Sequence, residues 1–395
     1  MDNSFHYEPI EKIKEELETN GPASAAAKIQ EYLDQQDNIP LNIGITGESG
    51  SGKSTFVDAF RGIDNRDERA APTGCVETTT EGTPSPHPNY PNVTLWDLPG
   101  IGTPNSARNY LERVEFEKFD FFIIISADRF RENDVKLAKE IQRMGKKFYF
   151  VRSKIDNNVR DEERRLRSEF NAERTLKQIR DNCIQGLEKQ GVKSPQVFLV
   201  SSCDLHLYDL CLLEETLERD IPAHKKNTLV SAMPNVNRGI ISKKKENLKA
   251  KIKYLASISA LTACVPVPAL FSDADVTMLV ATIRKYKVTF GLDSESLQSL
   301  ARSAHVPLDD LTAVMTSQLA ANEITKDLII KTLSASDAAL MAAEEGFRFI
   351  PILGIPAAMT LSFIFTYRVL NTSLDMLAED AQKVFTKALG LNTSV

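Results

Sequence analysis

Short apolar runs, separated by charged segments of helical period, mark the first half of the chain. Residues 41–46 (LNIGIT), 93–96 (VTLW), 119–125 (FDFFIII), 147–151 (KFYFV) and 196–200 (QVFLV) are apolar or β-rich throughout. Unbroken apolar runs belong to strands buried on both faces, and strands alternating with helices predict a mostly parallel, doubly wound α/β sheet. The strand pattern ends near Ile221 and Pro222.

Elsewhere the pattern is helical. Residues 8–18 and 24–33 read as two helices broken by Asn20, Gly21 and Pro22. Beyond residue 223 the strands disappear, and 238–261, 275–290, 293–304, 309–333 and 372–389 read as helices opening on Asp, Asn or Ser caps. At 395 residues the chain exceeds what one core usually supports. The expected organisation is therefore an α/β domain over 37–222 and an all-α domain over 223–395. The helices of 1–36 are expected to pack on the latter.

Composition changes this picture little. The chain is 42% hydrophobic and 26% charged, with a net charge of −6, which excludes nucleic acid as a main partner because a phosphate backbone demands a basic face. Cys75, Cys183, Cys203, Cys211 and Cys264 form no C-x-x-C pair, and no H-E-x-x-H occurs. A reduced, cytoplasmic chain without a structural metal is expected. The N-terminus has no basic, apolar signal pattern, and Asp2 stands where myristoylation requires a glycine, so neither route to a membrane is expected.

The chemistry starts at GESGSGKST, residues 47–55, which fits G-x-x-x-x-G-K-[ST] between a predicted strand and a predicted helix. Gly47, Gly50 and Gly52 allow successive N–H groups of Glu48, Ser49, Ser51 and their neighbours to turn inward onto phosphate oxygens. The helix N-terminus at Thr55 adds its positive end. Lys53 would reach the β- and γ-phosphates, and the Ser54 hydroxyl would ligate Mg²⁺.

A phosphate loop alone leaves ATP and GTP open, and a P-loop ATPase or kinase is the rival. SKID, residues 153–156, follows a strand and stands close to N/T-K-x-D. The Asp156 carboxylate can accept from N1–H and the exocyclic amine of guanine, whereas adenine would leave it unpaired. The Lys154 stem would lie over the base, and the Ser153 hydroxyl could tie loops together. Ser201 and Ser202 end the next strand, where a backbone N–H can meet guanine O6.

Between these motifs lies 71–92, rich in Thr, Pro and Gly, the place for a first switch in which Thr78, Thr79 or Thr80 completes the Mg²⁺ shell. The run LWDLPGIG, residues 95–102, then puts Asp97 in the outer Mg²⁺ shell and the Gly100 N–H near the γ-phosphate. Ile101 stands where small signalling GTPases carry a water-orienting glutamine. A GTP-binding regulator or scaffold with negligible turnover is therefore the alternative to a GTPase.

Together with TGCVETTTE (73–81) and VTFGLDSESLQSLAR (288–302), these motifs resemble the interferon-inducible, immunity-related GTPases, which are dynamin-like, in their subgroup with Lys in the phosphate loop. The resemblance runs from about residue 10 to about residue 385. It implies a P-loop GTPase domain binding GTP or GDP with Mg²⁺ and joined to an all-α domain. It further implies Thr79 as the switch threonine, Glu77 as a residue of hydrolysis and Thr73 as a residue near a nucleotide-dependent dimer contact. Its partners would be a second copy or other family members, and intracellular membranes, in particular vacuoles enclosing pathogens.

Two uncharged segments bear on membranes. Residues 349–367 are flanked by Arg348 and Arg368, and 254–271 resemble them, but each contains two prolines. Burial in the all-α core is favoured over insertion. Nine Lys or Arg residues against Glu246 between Lys225 and Lys253 could meet anionic lipid, although such a run more often forms a solvated helix face.

Overall fold

The computed structural model describes residues 4–63, 67–71, 82–99, 114–262, 273–334 and 360–390. Two compact units emerge. One is built on Pro40–Asn237; the other combines Met1–Ile39 with Arg238–Arg302 and Val306–Val395. Helices α1 (Ser4–Asn20) and α2 (Pro22–Asp37) open the chain and belong to the second unit.

The first unit is a six-stranded sheet in the order β2-β3-β1-β4-β5-β6. Its strands are β1 (Leu41–Gly47), β2 (Thr83–His87), β3 (Tyr90–Asp97), β4 (Phe121–Ser126), β5 (Lys147–Arg152) and β6 (Val197–Leu199). All pair in parallel except β2, which runs antiparallel to β3 at the edge. Every residue of β4 is buried, as its unbroken apolar run requires when helices cover both faces. Gly44 is needed in β1 because a Cβ there would sit 2.7 Å from the Phe122 ring. The register sets Asp97 beside Ile45, Gly47 beside Ile125 and Ser126 beside Arg152, so four strand ends share one edge. The associated helices are α3 (Lys53–Phe60), α4 (Glu132–Arg143), α5 (Ile155–Leu166), α6 (Ala172–Lys189), α7 (Leu210–Asp220) and α8 (Ala223–Ala232).

The second unit adds α9 (Arg238–Thr262), α10 (Asp273–Thr289), α11 (Ser294–Ser303), α12 (Leu308–Ala313), α13 (Gln318–Ala321), α14 (Lys326–Ser334) and α15 (Thr360–Ala388). Helix α9 packs along α15 and α2, and Phe363, Leu370, Leu374 and Leu377 of α15 are fully buried.

Four expectations differ from this structure. Strand β2 lies inside the stretch expected to be a switch loop; Pro84 and Pro86 hide it, and its edge position tolerates them. The compact unit runs to Asn237 rather than ending at 222, because α8 packs on β1 and β3. Residues 309–333 form three short helices instead of one. Buried Asp380 accepts the N–H groups of Thr316 and Ser317 at 2.9 Å each, which satisfies the break that Ser317 then caps. At least four of the nine residues of the basic run are engaged within their own unit: Lys225 pairs with Asp120, Lys245 with Asp375, and Lys251 with Asp37, while Lys244 donates to the Thr289 carbonyl.

The described parts of the two uncharged segments are packed helix. Ser257, Ser259 and Ala260 are buried in α9, and the Ser259 hydroxyl meets those of Ser362 and Thr366 in α15. Among the described residues no helix is long and apolar enough to cross a membrane.

Candidate functional site

The phosphate-loop motif begins where β1 ends. Gly47 has φ 142°, and a Cβ there would lie 2.0 Å from the Ile125 carbonyl oxygen of β4. Only glycine brings the two strand ends this close. Gly50 and Gly52 also turn with positive φ, at 74° and 94°, and α3 starts at Lys53. The first N–H groups of that helix lack intrahelical acceptors and are suited to an anion. Lys53 folds back over the loop, its Nζ donating to the carbonyls of Gly47 (3.2 Å) and Glu48 (3.1 Å). Ser49 and Gly50 are exposed, Thr55 is half-buried, and the buried Ser51 hydroxyl has no hydrogen-bond partner among the described residues.

Ser54, in the first turn of α3, donates to Asp97 Oδ2 at 2.5 Å across the gap between β1 and β3. Asp97 Oδ1 is buried without a hydrogen-bond partner among the described residues. Burial pushes the Asp97 carboxyl above its usual range, against the Ser54 hydrogen bond and the charge of Lys53. A hydroxyl beside a carboxylate with an uncommitted oxygen is a donor set for a hard cation such as Mg²⁺.

The SKID motif turns from β5 into α5 beside the same loop. The Ser153 hydroxyl donates to the Ser51 carbonyl at 2.6 Å, and the Ser153 N–H meets the Ser126 carbonyl at 2.9 Å. Lys154 adopts the left-handed region (φ 56°), and its Nζ reaches the Gly50 carbonyl at 2.8 Å. Its Cε passes 3.8 Å from where a Gly52 Cβ would stand, so the stem overlies the phosphate loop. Asp156 occupies the first turn of α5, its side chain 14% exposed and the Arg160 guanidinium 4.0 Å away. The carboxylate is sheltered yet open to a ligand. After β6, the buried Ser201 hydroxyl accepts the N–H groups of Cys203 (3.3 Å) and Asp204 (3.2 Å), with Ser202 half-buried beside it.

The structure thus brings Gly47, Glu48, Ser51, Lys53, Ser54 and Asp97 to one strand edge with Lys154 and Asp156 alongside. Thr73, Glu77, Thr78, Thr79, Thr80, Gly100 and Ile101 lie outside the described residues. Sequence reasoning missed two neighbours. Arg131 pairs with Glu48 at 3.1 Å, and buried Asp134 accepts the Arg131 N–H at 2.9 Å as an N-terminal cap of α4. Burial raises the Asp134 carboxyl to about 6. An Asp three residues after the residue that precedes a helix is a legible capping signal.

The family model described as Interferon-inducible GTPase (IIGP) matches residues 6–388. The chain is 39% identical over 384 residues to Interferon-inducible GTPase 5 of Bos taurus, covering 97% of this chain and 82% of that one. It is 35% identical over 393 residues to Interferon-gamma-inducible GTPase 10 of Mus musculus, covering 98% and 91%. Interferon-inducible GTPase 1 of Mus musculus is 39% identical over 307 residues, covering 78% and 74%.

Proposed function

The chain belongs to the interferon-inducible GTPase family, and on that premise we propose that it is a self-assembling GTPase acting at intracellular membranes in cell-autonomous defence. GTPase activity and guanine-nucleotide binding come with the family. Assembly, membrane action and the roles of individual residues are the proposal.

The observation that carries it is the convergence of Lys53, Ser54 and Asp97 on one strand edge, with Asp156 in the first turn of the adjoining helix α5. Lys53 exchanges its two carbonyl partners for the β- and γ-phosphates, and the amides from Gly47 to Thr55 hold the phosphate oxygens. Ser54 directly, and Asp97 through water, would hold Mg²⁺, which when bound offsets charge on the phosphates. Asp156 selects guanine through two accepted hydrogen bonds, Lys154 covers the ring, and Ser201 and Ser202 present the backbone to O6.

Phosphoryl transfer is mostly positioning and electrostatics, so the water-orienting group need not stand at position 101. Thr79 and the Gly100 N–H would meet the γ-phosphate side. A second copy, contacting through Thr73 and Glu77, would order the first switch and set Glu77, or a backbone carbonyl, against the water. Specific activity should then rise with protein concentration. A flat value across about a hundredfold dilution overturns assembly-driven hydrolysis and leaves GTP binding intact. Co-sedimentation with anionic vesicles, with and without a GTP analogue, tests the membrane step, and absence from the pellet in both states overturns it.

A further inference from the structure

Arg152 ends β5, and it is buried at 5% exposure. Burial works against the charge and pulls the guanidinium below its ordinary range. A buried cation usually meets a carboxylate. Among the described residues, the hydrogen bonds of this one go instead to two neutral acceptors. Nη1 donates to the Ser153 carbonyl at 3.0 Å, and Nη2 donates to Asn158 Oδ1 at 2.9 Å. Desolvation without an anion in the fork is no source of stability, so the arrangement is explained by what it holds.

What it holds is the turn from β5 into α5. Ser153 precedes the left-handed residue Lys154 (φ 56°, ψ 33°), and half-buried Asn158 follows Asp156 on α5. One planar fork thus closes the turn from both ends, with Asp156 between its two acceptors. A lysine in the left-handed region is strained and persists only where its surroundings fix it. The outer side of the turn is tied to the phosphate loop by the Ser153 hydroxyl and Lys154 Nζ. Arg152 supplies the tie inside the turn. Its backbone pairs in register with Ser126 of β4 and Leu199 of β6, so the fork has a rigid origin.

We infer that Arg152 is a positioning residue for purine selection: its guanidinium, spanning the Ser153 carbonyl and Asn158, sets the angle at which the Asp156 carboxylate faces the base. The inference rests on the proposed reading of Asp156 as the group that recognises guanine. A carboxylate accepting from N1–H and the exocyclic amine together needs both oxygens aligned with the ring edge. A small rotation of the first turn of α5 spoils one of those two bonds. Phosphate binding draws on the loop amides and Lys53, so Arg152 bears on base discrimination rather than on the phosphates.

The test compares GDP with inosine diphosphate (IDP), whose base lacks the exocyclic amine and offers Asp156 one donor instead of two. Both affinities are measured by displacement of a fluorescent nucleotide, with Tm, for Arg152→Lys, Asn158→Ala, Asp156→Asn and Val151→Ala, a buried control on the same strand. Arg152→Lys leaves an ammonium that cannot span both acceptors. It should lower GDP affinity about tenfold and IDP affinity less, narrowing the GDP-to-IDP ratio about threefold. Asn158→Ala removes the far acceptor and should narrow the ratio in the same direction with little change in Tm. Val151→Ala should lower Tm and leave the ratio alone. Asp156→Asn should collapse the ratio, and adding Arg152→Lys to it should narrow the ratio no further, because Arg152 acts through Asp156. Equal loss of both affinities in Arg152→Lys, or further narrowing in the double variant, makes Arg152 a structural strut and overturns the inference. If Arg152→Lys does not fold, Asn158→Ala carries the same comparison, alone and combined with Asp156→Asn. A ratio that Asp156→Asn collapses while Arg152→Lys and Asn158→Ala leave it unmoved overturns the inference alone. A ratio indifferent to Asp156→Asn overturns the reading of Asp156 and the inference with it.

Discussion

The Ser153 hydroxyl donates to the Ser51 carbonyl at 2.6 Å across 102 positions of sequence, and the hydroxyl is buried. With Lys154 Nζ on the Gly50 carbonyl, it couples the turn that leads into Asp156 and α5 to the phosphate loop. Purine selection and phosphate binding therefore share one scaffold. A motif that asks for Asn or Thr is met by Ser because the need is a side-chain donor aimed at a carbonyl, and a hydroxyl supplies it.

Ser153→Ala should weaken GDP and GTP-analogue binding alike, by about tenfold, since it strands the buried Ser51 carbonyl at a cost of about 1–3 kcal/mol. Ser153→Thr should keep most of the affinity. Titration of both nucleotides checks it, and selective loss of one of them contradicts a shared scaffold.

Asp156→Asn should lower guanine-nucleotide affinity by about a hundredfold or more, because an amide cannot accept both donors of guanine. The same amide can donate to the carbonyl that xanthine carries in place of the amine, so xanthosine nucleotides should gain. Competition between GTP and XTP reads the inversion directly.

What was legible in the chain was whatever short range encodes. The apolar runs located β1, β3, β4, β5 and β6, and the spacing of Gly47, Gly52, Lys53 and Ser54 located the loop. What escaped depends on partners far away in sequence. The break at Thr316 and Ser317 is stable only because Asp380, more than sixty residues later, accepts their N–H groups. Lys225, Lys245 and Lys251 form a basic run on paper, but each finds its own distant acid. Ala223–Ala232 follows the last strand and so falls on the helical side of a boundary drawn at 222, and only its packing on β1 and β3 assigns it to the sheet. The bonds that Arg61 donates to the Arg69 and Pro86 carbonyls have no periodic signature at all.

Gly47→Ala should abolish nucleotide binding and destabilise the chain by on the order of 3 kcal/mol, from strain at φ 142° plus a 2.0 Å contact with the Ile125 carbonyl oxygen. Gly50→Ala, at φ 74° with open space around it, should cost only about 1 kcal/mol. Urea melts of the two variants distinguish a clash from left-handed strain alone.

Asp134 is buried at 2% exposure, and its carboxyl is raised from 3.8 to about 6, chiefly by burial. Between those values the folded chain holds a proton that the unfolded chain has released, so stability falls as pH rises through the window and levels off above it. The full effect is on the order of 3 kcal/mol. Asp58, raised to about 6 for the same reason, adds to the slope, and His206, whose imidazole is pushed down by burial, opposes it. Asp134→Asn keeps an oxygen for the Arg131 N–H and removes the titration, while Asp58 and His206 remain common to both chains. The stability difference, variant minus wild type, should therefore grow as pH is raised from about 4.5 to about 6.5 and then stay constant. Urea denaturation across that range measures it. A difference independent of pH would mean that Asp134 ionises in the folded chain as readily as in water, and that its burial in the first turn of α4 costs nothing.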